Sequence, residues 1–159
     1  MFDPDMTRIL LRRSVFVLLL LPAVGCGDQS PPTPDLAVSD VWVRAAAVPE
    51  GLTSTVNSAA YLTIENQGGA TDRLIGVTFA AAQRVELHES FVDARGIASM
   101  RPVDSVEIPP AGEARLEPGG LHVMLFGLDA PLSVGDSVRM ALEFEVSGRL
   151  TVTAAVRQL

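Results

Sequence analysis

The chain has 159 residues and carries 19 Asp and Glu against 12 basic residues, every one of them Arg, for a formal charge of −7. An apolar fraction of 48% excludes a disordered chain, and the net acidity leaves nucleic-acid binding without electrostatic support. The lack of any Lys removes Schiff-base and P-loop chemistry; the single cysteine, Cys26, excludes an internal disulfide, Cys-rich zinc sites, iron–sulfur clusters and c-type haem attachment.

The N-terminus reads as an address. Arg8, Arg12 and Arg13 precede an apolar run, Ser14 to Gly25, that is too short for a bilayer-spanning helix of ~20 residues. Ala23 and Gly25 then lead into Cys26, so residues 1–25 are expected to be a lipoprotein-type signal peptide with Cys26 as the acylated residue. An ordinary secretory signal with an incidental Cys26 is the alternative. Residues 26–36 are polar and Pro-rich, which predicts a flexible tether. The remaining domain, 37–159, is thus expected outside the cytoplasm, periplasmic or extracytoplasmic, held to the membrane by a lipid anchor only.

From there short strand-like stretches follow one another, bounded by Gly, Pro, Asp and Asn: 36–44, 59–65, 72–78, 84–92, 97–103, 105–108, 114–116, 121–125, 137–144 and 150–156. No stretch carries a 12-residue helical pattern. The expectation is one all-β domain, a sandwich or Greek-key barrel. Trp42, Tyr61, Met140 and most Phe residues are core candidates.

Beyond residue 26 there are two His and three Met, and four of these five fall in one window: His88-x11-Met100-x21-His122-x-Met124. Residues i and i+2 of a strand share a face about 6.6 Å apart. Leu121, Val123 and Leu125 should then point inward, and His122 and Met124 outward or to a rim. His88 ends the alternation Val85-Glu86-Leu87-His88. If Ala94-Arg95-Gly96 forms a three-residue hairpin loop with Gly96 left-handed, Asp93 pairs with Ile97, Ser90 faces Met100, and Met100 shares a face with His88. A two-residue loop would put them on opposite faces.

A lone strand Met is usually core filling and a lone His usually a hydrogen-bonded residue. Their concentration in one window favours a metal site at His88, Met100, His122 and Met124. All four donors are neutral, and thioether sulfur without thiolate or carboxylate selects Cu(I) over Zn(II), Mn(II) or Mg(II). Glu86, Glu89 and Asp93 form a solvated acidic rim, with a weak Cu(II) contact as the lesser reading. A blue-copper electron carrier needs a Cys thiolate, and the one Cys lies in the signal region. For a His/Met haem site, an i, i+2 pair cannot supply opposite axial ligands; His88 with Met124 formally could, but nothing in the sequence suggests a haem-sized pocket. No nucleophile–base motif or paired carboxylates point to an enzyme.

The spacing, together with Asp40-Val-Trp-Val-Arg44, Ala59-Ala-Tyr61, Val85-Glu-Leu-His-Glu89, Met100-Arg-Pro-Val103, Glu117-Pro-Gly-Gly-Leu-His-Val-Met-Leu-Phe-Gly-Leu128 and Pro131-Leu-Ser-Val-Gly-Asp136, resembles the PCuAC family of periplasmic copper chaperones. The resemblance covers nearly all of residues 37–156. It implies a cupredoxin-like β-sandwich that binds one Cu(I) through His88, Met100, His122 and Met124. It also implies delivery to a copper-accepting apo-protein, a cytochrome oxidase subunit or another copper chaperone. The chain departs from the family in having Glu89 after the first His, and in ending without the His/Met-rich tail that some members use for a second copper. Copper storage or resistance, and a metal-free lipoprotein interaction domain, are the competing readings.

Overall fold

The computed structural model describes residues 31–47 and 56–159. The expected signal peptide, Cys26 and the first residues of the tether lie outside them. Among the described residues there is no helix. Ten strands form one mixed sheet: β1 Leu36–Arg44, β2 Val56–Asn66, β3 Asp72–Thr78, β4 Ala82–Val92, β5 Ala98–Pro102, β6 Val106–Ile108, β7 Gly112–Leu116, β8 Leu121–Leu128, β9 Ser137–Phe144 and β10 Gly148–Arg157. Three strands keep both ends read from the sequence (β1, β3 and β9), because turn residues bound them sharply. The others shift at an end, chiefly β2 and β8, whose pairing with each other carries the ladder beyond the local pattern.

The strand order is β5-β4-β8-β7-β2-β1-β10-β9-β3-β6, with β2 also pairing β8. The sheet rolls so that β3 lies beside β4 and β6 beside β7, closing the all-β, cupredoxin-like domain around one core. Alternation builds that core: Met140, Leu142 and Phe144 of β9, Ala154 and Val156 of β10, Leu62 and Ile64 of β2, and Val123 and Leu125 of β8 are all buried. Met140 is a core residue, as its setting predicts. Tyr61 is buried and stacks on half-buried Trp42 at 4.4 Å between ring centroids, whereas Phe91 stands exposed.

Two local devices position the rest. Asn66 is buried: its Oδ1 accepts from the backbone N–H of Asp35 and Gly68, and its Nδ2 donates to the carbonyls of Ala70 and Ile108. With Gln67 N–H donating to Asp35 O and Gly69 N–H to Thr33 O, it fastens Thr33 and Asp35, from the stretch expected as a tether, to the domain. The β4–β5 hairpin has the three-residue loop. Gly96 has φ 79°, Asp93 and Ile97 pair, and the Asp93 carboxylate accepts from the N–H groups of Arg95 and Ile97.

Candidate metal centre

β4 sits between β5 and β8, and its register decides which side chains meet. His88 lies opposite His122, Glu86 opposite Met124, and Ser90 opposite Met100. Directly opposed residues share a face, as do residues two apart. His88, His122, Met124 and Met100 therefore occupy one face of three adjacent strands, with Met100 on the side the three-residue loop requires.

The two imidazoles have ring centroids 5.9 Å apart. A metal ~2.0 Å from one nitrogen of each ring lies roughly 3 Å from each ring centre, so rings sharing one ion stand about 6 Å apart or less. The observed spacing meets that limit. Burial differs from the sequence expectation. Val123 and Leu125 do point inward, but His122 is also buried, at 5% exposure, and His88 is at 7%. Met124 is half-buried. Met100, on edge strand β5, is 54% exposed and lines a shallow apolar groove with Phe91, Val92 and Ala98. The donor face is thus a half-closed site with one open side.

Hydrogen bonds assign the ring nitrogens. Nδ1 of His122 is 3.0 Å from the Gly120 carbonyl, which only accepts, so Nδ1 carries a hydrogen and, in the neutral ring, Nε2 keeps the lone pair. The same carbonyl accepts the Ser90 N–H. Nε2 of His88 donates to Glu86 Oε2 at 2.8 Å, and the buried Nδ1 has no hydrogen-bond partner. Such an orphaned acceptor costs about 1–3 kcal/mol and calls for a ligand. The hydrogen bond from His88 holds the Glu86 carboxyl below the usual carboxylate range; burial opposes it by less than that bond, and the charge of Arg84 adds a still smaller lowering.

The acidic rim resolves into separate roles. Glu86 is on the donor face and engaged by His88. Glu89 is on the opposite face, paired with Arg101 at 2.6 Å, so the departure after the first His leaves the donor set alone. Asp93 is occupied by Arg95 and the hairpin loop. Among the described residues no three His, Cys, Asp or Glu side chains cluster to hold a metal; the candidate donors that share this face are two imidazoles and two thioethers. Sequence reasoning missed the engagement of Glu86, legible in its i, i+2 relation to His88. It also missed Phe126, whose ring lies 5.8 Å from that of His88, because their contact depends on the β4–β8 register.

The model of the family described as "Putative lipoprotein LpqE-like" matches residues 36–156. The chain belongs to the LpqE-like family. Over 160 residues it is 34% identical to "Putative lipoprotein Lxx21020" of Leifsonia xyli subsp. xyli (strain CTCB07), covering 95% of this chain and 92% of that protein. Its fold is that of PCuAC domains. The copper-bound PCuAC domain from PmoF2 is 30% identical with a TM-score of 0.61, covering 78% of this chain and 93% of that one. The solution structure of CuI-DR1885 from Deinococcus radiodurans is 33% identical with a TM-score of 0.54, covering 76% and 78%. This LpqE-like protein therefore carries a copper-chaperone fold, and the resemblance read from its residues holds across the domain.

Proposed function

We propose that this protein is an extracytoplasmic, lipid-anchored copper carrier. It holds one Cu(I) through His88, His122, Met124 and Met100 and passes it to a copper-accepting apo-protein, the copper centres of a respiratory oxidase. The observation that carries the reading is the opposed pair of buried imidazoles, each with one nitrogen committed to a hydrogen bond and the other left with its lone pair. Met124 stands two residues from His122 on the same face, and the neutral N and S donors suit a monovalent soft ion. Relatives solved with copper support the same cargo.

The chain works as a carrier rather than an enzyme. Three donors sit in or against the sheet and retain the metal, while Met100 stands on the open side. An acceptor's ligand can approach there and replace it without unfolding the domain. The lipoprotein descriptions of the family and of the Leifsonia relative support the extracytoplasmic location.

Anaerobic Cu(I) titration against a chromophoric chelator tests the site. The expected result is one tightly bound equivalent, lost in His88→Ala. Wild-type binding by His88→Ala and Met124→Leu would remove the assignment. Transfer is tested by mixing the loaded protein with the apo copper-binding domain of the oxidase and following copper across a size or charge separation. Retention of copper under those conditions would favour storage.

A further inference from the structure

The geometry points to an asymmetric grip on the metal: His88 offers Nδ1, His122 offers Nε2, and Glu86 is the positioning residue that holds His88 in that tautomer. This rests on the copper reading above and specifies which atoms carry it.

The two histidines are tied down at opposite ends of their rings. His122 gives Nδ1–H to a backbone carbonyl, a partner no side-chain change removes. His88 gives Nε2–H to a side chain, Glu86, and keeps the nitrogen nearest its own backbone buried and without a hydrogen-bond partner. A glutamate carboxylate is ionised at neutral pH and only accepts, so it fixes the imidazole proton on Nε2. A carboxylate behind a ligating imidazole both orients the ring and raises its basicity.

Glu86 is itself held. Arg84 Nη1 binds its Oε1 at 2.8 Å while His88 takes Oε2, so each carboxylate oxygen has a partner. The Arg84 guanidinium lies 4.1 Å over the Phe126 ring, and Phe126 packs against His88. Arg84, Glu86, His88 and Phe126 thus close a loop of contacts that restrains rotation of the His88 ring. Glu86 faces Met124 in the ladder, yet its oxygens are engaged and are hard donors unsuited to Cu(I), so it acts through His88 and not as a ligand.

Long-range 1H–15N correlation on the 15N-labelled protein tests this. In the metal-free protein His88 should be protonated on Nε2 and His122 on Nδ1. Cu(I) should move the signals of His88 Nδ1 and His122 Nε2. Glu86→Ala should mix the His88 tautomers and weaken Cu(I) binding about 10- to 100-fold, the usual effect of losing such a partner. Glu86→Gln, which keeps an accepting oxygen but adds a donor and loses the charge, should fall between wild type and Glu86→Ala in both readouts. Copper shifts on His88 Nε2, or a Glu86→Ala variant with wild-type tautomer and affinity, would overturn the assignment. Expected tautomers with no imidazole shift on adding Cu(I) would instead overturn the copper reading and leave the Glu86–His88 relation standing.

Discussion

His88 and His122 stand opposite each other across β4 and β8, ring centroids 5.9 Å apart and planes inclined by 56°. Both strands lie inside the sheet, each paired on both sides, so this pair is the fixed part of the proposed donor set. The two methionines differ in how firmly they join it.

Met124 is half-buried beside His122, whereas Met100 is exposed on the edge strand. Ordering an exposed Met side chain costs roughly 1.5–2 kcal/mol of rotamer freedom, equivalent to more than a factor of ten in affinity. Met124→Leu should therefore weaken Cu(I) binding about tenfold more than Met100→Leu. Competition with a Cu(I) chelator measures both, and equal losses would contradict the unequal roles.

The hairpin loop sets the face of Met100. Because strand side chains alternate, deleting Ser99 behind an unchanged loop sets Met100 opposite Phe91 and so moves it to the other face. The deletion should then match Met100→Leu in Cu(I) affinity while the domain stays folded by circular dichroism. Affinity equal to the wild type would show that Met100 is not a donor from this hairpin.

Asn66 joins four backbone groups, those of Asp35, Gly68, Ala70 and Ile108. Asn66→Ala leaves them without that partner and should cost about 1–3 kcal/mol. Urea unfolding measures the loss, and hydrogen exchange at the Asp35 N–H should speed up. Unchanged protection there would mean that Asn66 does not fasten the N-terminal segment.

Asp72 is buried, which raises its carboxyl pKa. The Ser147 side chain and the N–H groups of Val146, Arg73 and Ser147 more than offset this and hold it below the usual carboxylate range. A lowered native pKa stabilises the fold fully above the unfolded value, near ~3.9, and the contribution fades as pH falls through the native value. Asp72→Asn should lower stability at neutral pH by about 1–3 kcal/mol, with the gap to wild type narrowing only below roughly pH 4. Denaturation midpoints across pH would show it; a gap constant into strong acid would exclude the carboxylate as its source.

The local pattern determined a good deal by itself. The pleat places His122 and Met124 on one face whatever the tertiary context. The Asp93–Gly96 loop chemistry sets the β4–β5 register, and with it the placement of Met100 on the face of His88. The donor types, neutral nitrogen and soft sulfur, follow from composition. What the chain order could not reveal is that β4 and β8, separated by three strands in sequence, are neighbours with His88 facing His122. That pairing, and the burial of both imidazoles, come from closing the whole sheet around its core. Long-range ladders are chosen by packing of both faces at once, and no window of sequence contains that sum. The same closure sets Phe126 against His88, and it leaves Met100 on the edge strand β5, next to solvent.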